Sequence, residues 1–155
     1  MGSPIRATLY LRDSVPMPAM IEQQRVLGRL RTLTTAGVLD EFEVEEWPTR
    51  VTMETTETAP ALALYDGFVN WAHDHGATIN PAFGRHDCHS RYTHTRYTTT
   101  VFPVMCLAVY EDETLRAVYP HAHDRRSVSV MDGLAMLESD SWREELESPT
   151  VTGRA

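Results

Sequence analysis

The architecture of this chain is set at Ile5-Arg6-Ala7-Thr8-Leu9-Tyr10-Leu11-Arg12 and in the helical pattern that follows it. Ala7, Leu9 and Leu11 alternate along the first segment, which predicts a strand. After a Pro-rich turn, apolar residues recur at three- and four-residue spacing, which predicts an amphipathic helix over about 18–36 with Gly37 as its left-handed cap. These apolar residues are Met20, Ile21, Val26, Leu27, Leu30 and Leu33.

The remaining elements alternate between the two patterns. A second strand is predicted from Asp40 to about Met53, with Phe42, Val44 and Trp47 on one face and three glutamates on the other. A second helix starts at Thr58 or Pro60 and ends at Gly76. Strands are then expected over about 78–91, 95–110 and 114–121, and a short helix over 130–137.

This order of elements predicts an α+β fold. We expect a ferredoxin-like or related two-layer sandwich, with a mainly antiparallel sheet that carries both main helices on one face. The other sheet face would be free for a partner or for a second copy in a homodimer. Residues 1–138 are expected to form a single domain, and residues 139–155 an acidic, flexible tail.

Composition bounds the class of protein. With 155 residues and 42% apolar residues, the chain can bury a core of its own. It shows no signal peptide and no apolar run of the roughly 18 residues that a membrane span needs, which predicts a cytoplasmic protein without membrane contact. The two cysteines, Cys88 and Cys106, require no disulfide framework.

The charged residues are unusual. All 14 basic residues are arginine, against 22 Asp and Glu, and the formal net charge is −8. A carboxylate-rich surface of this kind suits a halophilic cytoplasm, where salt screens self-repulsion, although a genome with a bias toward arginine codons would produce the same count. The acidity argues against a general nucleic-acid coat protein, which is normally basic.

Residues 85–97 are the densest functional candidate, because Arg and aromatic residues interleave there. The segment carries a formal charge of +2, while the rest of the chain sums to −10. Guanidinium groups grip phosphates and tyrosine rings offer stacking faces, so the segment is a candidate contact for nucleic acid or another anion. Pairing of these arginines with a neighbouring acidic strand explains the pattern equally well. The candidate residues are Arg85, Arg91, Tyr92, Arg96 and Tyr97.

A zinc site is a second candidate, because imidazole and thiolate are ligands that zinc prefers. His86 and Cys88 would share one strand face, as would His121 and His123. In a meander, however, these pairs lie two strand spacings apart, about 9.5 Å, and zinc bonds of about 2.0 to 2.3 Å require closer convergence. The alternative is that these histidines are rim residues, in which case no cofactor is expected.

The same meander separates the two thiols. With a hairpin turn near Thr93, Cys88 is expected opposite a residue near Thr98, and Cys106 opposite one near Asn80. Cys106 is then most simply a small core residue.

The sequence offers no recognisable catalytic motif. It contains no Gly-rich phosphate loop, nucleophile elbow or zincin helix, and Cys88 with a neighbouring histidine on one strand does not form an oriented dyad. We therefore expect no enzyme and no catalytic residue.

Packing and turn motifs along residues 5–137 resemble a family of short haloarchaeal proteins that carry an "HTH domain" label. The motifs are Ala7-Thr8-Leu9-Tyr10-Leu11-Arg12, Gln24-Arg25-Val26, Gly37-Val38, Trp47-Pro48-Thr49-Arg50-Val51, Phe68-Val69-Asn70-Trp71-Ala72, Pro81-Ala82-Phe83, Phe102-Pro103-Val104 and Leu107-Ala108-Val109-Tyr110-Glu111-Asp112. The resemblance implies an archaeal, transcription-related role. The predicted elements themselves contain no helix-turn-helix, because a strand separates the two long helices.

The sequence thus favours a non-catalytic regulatory or interaction module with a protein or nucleic-acid partner. Direct nucleic-acid binding through 85–97, a zinc-binding domain, and a sensor with a small-molecule pocket between sheet and helices are the alternatives.

Overall fold

The computed structural model describes residues 4–54, 60–79, 82–89, 91–92 and 96–139. Within these ranges the chain forms three helices and nine strands. The helices are α1 (Met17–Thr35), α2 (Pro60–Asp74) and α3 (Val130–Glu138). The strands are β1 (Ile5–Arg12), β2 (Glu41–Trp47), β3 (Arg50–Glu54), β4 (Gly84–His89), β5 (Arg96–Val101), β6 (Met105–Glu111), β7 (Thr114–Tyr119), β8 (His121–His123) and β9 (Arg126–Val128).

The strands form three sheets. The main sheet has the order β2-β1-β6-β7, in which β1 and β2 are parallel and the other pairs are antiparallel. A smaller antiparallel sheet has the order β3-β5-β4, and β8 pairs with β9. The predicted α+β class and the mainly antiparallel pairing are confirmed.

The helices cover both faces of the main sheet, and the prediction that both main helices share one face is wrong. Strand pairing places Leu9, Leu107 and Tyr119 on one face, where a methyl group at Gly133 of α3 would touch the Tyr119 ring. Helix α1 joins α3 on this side through an ion pair of Arg29 with Glu138. Tyr10 lies on the opposite face, against Phe68 of α2.

Two consequences follow from this layering. The centre of the main sheet is covered on both faces, because alternate residues on both sides of β1 are buried. Strands β1 and β2 are direct neighbours, so the split βαβ arrangement of a ferredoxin-like fold is absent from the described sheet.

Prolines divide two predicted strands. The segment predicted as one strand over 40–53 leaves the main sheet at Pro48 and continues as β3 of the small sheet. The segment predicted over 95–110 does the reverse at Pro103, between β5 and β6. Proline has no N–H to donate to a ladder, so each is a natural point for the chain to change sheets. Of the strand predicted over 78–91, the described residues form β4 and a bridge from Thr78 to Ala122.

An aromatic cluster joins the two larger sheets. The Trp47 ring stacks on Tyr10 at 4.9 Å and contacts Phe102 at 4.9 Å and Phe83 at 5.5 Å. Phe83 also meets Phe68 of α2 at 6.3 Å. Trp47 ends β2 and Phe102 follows β5, so the points where the chain changes sheets are packed against each other.

The predicted helix bounds are close to those observed, and one predicted cap is confirmed. Gly37 has φ +82°, and the N–H of Val38 donates to the carbonyl of Leu33, as in a Schellman motif. The predicted acidic tail lies outside the described residues, apart from Ser139.

Candidate nucleic-acid interface

The small sheet carries the basic segment. Its middle strand, β5, pairs with β3 on one side and with β4 on the other. Thr100 of β5 is fully buried, and Val51 opposite it packs against the core. This end of the sheet is therefore fixed to the body, while the end at His89 and Arg96 leads to the turn between β4 and β5.

Arg85 is held at the fixed end. Its guanidinium lies 3.5 Å from a carboxylate oxygen of Asp66 and 5.3 Å from the centre of the Tyr65 ring, both on α2. This ion pair and cation–π contact tie β4 to α2. Arg85 is thus attached to the body rather than grouped with the other candidate residues.

The remaining candidates lie toward the other end. Arg91 and Arg96 are exposed, and the Tyr92 side chain is 96% exposed. Arg96 pairs with His89 across the hairpin. Arg85 pairs with Thr100, which lies four residues further along β5. We define the hairpin tip as His89, Arg91, Tyr92 and Arg96; the predicted turn at Thr93 lies outside the described residues.

Tyr97 belongs to the opposite sheet face. It pairs with Cys88, so its side chain leaves the sheet on the side opposite that of Arg96. The acidic residue of the segment, Asp87, accepts a hydrogen bond of 3.1 Å from the Thr98 hydroxyl. The structure therefore brings Arg91, Tyr92 and Arg96 to one end and leaves Arg85 and Tyr97 apart from them.

The predicted metal ligands lie in different sheets. His86 is in β4 and pairs with Thr99, whereas His121 and His123 belong to β8. Among the residues that the structure describes, no three His, Cys, Asp or Glu side chains come together as a metal site. The side chain of Cys88 is not among those described, so the four-ligand zinc site stays a prediction.

The two cysteines lie in different sheets; the predicted partner of Cys88 is confirmed, and that of Cys106 is wrong. Cys88 pairs with Tyr97, one residue from the expected Thr98. Cys106 pairs with Tyr10 of β1 rather than near Asn80, because Pro103 moves the chain into the main sheet before Cys106 is reached. Cys106 is fully buried, and burial raises the pKa of its thiol, so it is an inert core residue.

A histidine and aromatic cluster was not predicted. The His121 ring lies 5.4 Å from both Trp71 and Tyr119, and its Nδ1 is 2.6 Å from the carbonyl oxygen of Val118. Burial lowers the pKa of His121 from its ordinary value of 6.5. His75 stacks on Trp71 at 4.8 Å, four residues earlier on α2. The spacing of Trp71 and His75 was the available signal, while the approach of β8 depends on tertiary structure.

Comparison with known proteins identifies one family. The model of a family described as "Helix-turn-helix domain" matches residues 2–142. No curated protein and no solved structure matches the chain. Among the described residues, no helix has the length and apolar character required to cross a membrane. The described helices are separated by residues 36–59 and 75–129, so none is joined to the next by a short turn.

Proposed function

Because the chain belongs to this helix-turn-helix domain family, we propose that it is a non-catalytic, transcription-associated regulatory module that contacts nucleic acid through the hairpin tip. The proposal places it in a halophilic cytoplasm, without a cofactor. A homodimer would present two such tips.

The exposure of Tyr92 carries the proposal. A tyrosine that is 96% exposed contributes almost nothing to the core, yet its ring is available for stacking. Stacking of one base on an aromatic side chain contributes about 1–3 kcal/mol and works with every base. Arg91 precedes this tyrosine and Arg96 follows it four residues later; both are exposed, and their guanidinium groups suit phosphate oxygens.

The charge around the tip supports the same function. Residues 88–97 contain no Asp or Glu, and Asp87, the nearest carboxylate before them, is hydrogen-bonded to Thr98. The tip is therefore a local cationic site on an acidic chain. The net negative charge of the rest of the chain would disfavour contact elsewhere.

The shape of the small sheet offers a route for that contact. A two-stranded β-ribbon fits the major groove of DNA, as does an α-helix. The described helices contain no helix-turn-helix, whereas the β4–β5 hairpin extends past Tyr97, the last β5 residue paired with β3, so its end at Arg96 and His89 is two-stranded. In this proposal Arg85 is a positioning residue, because its contacts with Asp66 and Tyr65 hold the ribbon on α2.

Fluorescence anisotropy with a labelled duplex and a labelled single strand tests the proposal. The parent chain, R91A/Y92A/R96A and Y92A are titrated over a series of potassium chloride concentrations. We expect the triple variant to bind at least tenfold more weakly, with a salt dependence shallower by about 2 in log K against log salt, since two phosphate contacts are lost. We expect Y92A to weaken binding without changing that slope.

The matched control is R25A/R31A, which removes two exposed arginines from α1 and has the same net charge as the triple variant. It is expected to bind like the parent. Absence of binding by the parent, or equal binding by the parent and the triple variant, would contradict the proposal.

A further inference from the structure

The second surface that stands out is the open edge of the main sheet at β2. In the described part of the chain, β2 has β1 as its only neighbouring strand. Five of its seven residues are exposed: Glu41, Glu43, Val44, Glu45 and Glu46. Such an edge presents backbone groups that can pair with another strand.

The direction of these backbone groups follows from two hydrogen bonds. The N–H of Asp13 donates to the carbonyl of Trp47, so Trp47 directs its backbone groups toward β1. The N–H of Arg12 donates instead to Val104 beside β6, which confirms the alternation along β1. By the same alternation along β2, Phe42, Val44 and Glu46 direct their N–H and C=O groups away from β1, to the open edge.

Apolar side chains lie on one side of this edge. Val44 is 44% exposed and pairs with Leu9, so it faces the layer that contains α1. Met20 is 45% exposed. It precedes Arg29 by nine residues, which is two and a half helical turns, so the two side chains lie on opposite sides of α1. Because Arg29 binds Glu138 of α3, Met20 lies on the flank of α1 that faces away from α3, toward the β2 side.

Acidic side chains lie on the other side of the edge. Glu41, Glu43 and Glu45 pair with Arg6, Thr8 and Tyr10 and so share the opposite sheet face. Within the described ranges none of these three glutamates is in an ion pair. A strand added here would meet Phe42 and Val44, with Glu46 at the end, on one face and three carboxylates on the other.

We propose that the β2 edge binds an extended segment of a partner protein in which apolar and basic residues alternate, so that the segment becomes a fifth strand of the main sheet. Main-chain hydrogen bonds to Phe42, Val44 and Glu46 supply affinity, and the alternating side chains supply specificity.

Charge selects this occupant over a second copy. Antiparallel pairing of two β2 strands centred on Val44 would place Glu43 beside Glu45 of the other copy, and like charges directly opposite are destabilising. Acidic residues on an edge protect it against self-association for this reason, but they attract a cationic strand. The glutamates of β2 thus disfavour pairing with a second copy and favour pairing with a basic segment.

The probe is a blocked, fluorescein-labelled seven-residue peptide that alternates arginine and valine, titrated with the full chain at 0.15 M potassium chloride. Control peptides replace the arginines with glutamate or the valines with serine. We expect the arginine–valine peptide to bind with a dissociation constant below about 100 μM, and both control peptides to bind at least tenfold more weakly.

Two variants locate the site. Val44→Pro removes an outward N–H that bonds to no other strand in the described sheet, so the fold is retained while strand addition is blocked; circular dichroism checks the fold. E41Q/E43Q/E45Q removes the carboxylates, with D74N/E113Q/D124N as the control of equal charge. V44P and the first triple variant should each weaken binding at least tenfold, and the control should not. If V44P does not fold, the comparison of peptide binding by E41Q/E43Q/E45Q and by D74N/E113Q/D124N tests the site.

Equal binding of the arginine–valine peptide by the parent, V44P and E41Q/E43Q/E45Q would overturn the proposal, as would absence of binding by the parent. Analytical ultracentrifugation tests whether a second copy of the chain occupies the edge instead. If the parent is a dimer and V44P is a monomer, the edge is assigned to a second copy. R91A/Y92A/R96A should bind the peptide like the parent, so failure at the hairpin tip and failure at this edge are distinguishable.

Discussion

Gly133 shows how closely α3 packs on the main sheet. A methyl group at this position would lie 2.5 Å from the Cδ2 atom of Tyr119, too close for any carbon contact. We therefore expect Gly133→Ala to lower the free energy of unfolding by about 1–3 kcal/mol, measured by urea denaturation. Gly67→Ala in α2 is the matched control, since nothing lies within 4 Å of its added carbon. It should stabilise by up to about 1 kcal/mol. Equal effects of the two changes would contradict this packing.

His121 makes stability depend on pH. Burial lowers the pKa of His121 in the folded state below its ordinary value of 6.5. Between these two pKa values the unfolded chain therefore binds more protons than the folded chain. The free energy of unfolding should therefore fall as pH decreases below about 6.5. Urea denaturation at pH 8 and pH 5.5 measures the loss, and His121→Gln should reduce it. His73→Gln, at an exposed position of α2, should leave the loss unchanged.

Trp47 lies on the opposite face of β2 from the one that the sequence pattern predicted. Alternation along β2 was predicted correctly for Phe42 and for the glutamates, but Trp47 shares the glutamate side, as strand parity requires. It is nevertheless buried, because Tyr10, Phe83 and Phe102 surround it. These partners come from distant segments, so the local pattern contained no information about them.

At the level of single elements, α3 depends on its first turn. Ser129 accepts a hydrogen bond of 3.1 Å from the N–H of Asp132, and the Asp132 carboxylate accepts one of 2.9 Å from the N–H of Ser129. This capping box satisfies two N–H groups that the helix leaves unpaired. Ser129→Ala should lower the free energy of unfolding by about 1 kcal/mol. Ser127→Ala, on the exposed part of β9, is the control and should have no measurable effect in the same urea titration.

Elements with strong local signals were predicted almost to the residue. The bounds of β1 were predicted as observed, α1 differs from its prediction by one residue at each end, and α3 by one residue at its C-terminal end. Strand divisions were missed, because the apolar pattern continues through Pro48 and Pro103 while hydrogen bonding does not. Side-chain alternation reports which face is buried, but the sheet to which a strand belongs depends on partners far along the chain.

The whole molecule shows why the candidate interface was only partly predictable. Composition identified residues 85–97 as a basic segment on an acidic chain, and the exposed Arg91, Tyr92 and Arg96 are consistent with a contact surface. Arg85 looked equivalent to them in sequence. Its attachment to Asp66 and Tyr65 depends on where α2 lies relative to β4, which no local pattern specifies.

We expect the aromatic cluster to make the two larger sheets unfold together. Phe83 is fully buried and contacts Tyr65, Phe68, Trp47 and Phe102, so it touches α2 and both places where the chain changes sheets. Truncating such a residue costs about 3–5 kcal/mol. In the parent, amide hydrogen exchange should show similar opening free energies for the central strand β5 and for β1 and β6, since all three open only with this core.

Phe83→Ala should uncouple the sheets. We expect the free energy of unfolding to fall by about 3–5 kcal/mol, and protection of the β5 amides to fall further than that of the β1 and β6 amides, because the small sheet has little other apolar support. Phe42→Ala is the control: Phe42 lies on the α1 side of β2, away from this cluster, so its loss should lower protection without singling out β5. Equal loss of protection in both sheets of Phe83→Ala would show that other contacts, rather than the aromatic cluster, hold the small sheet to the body.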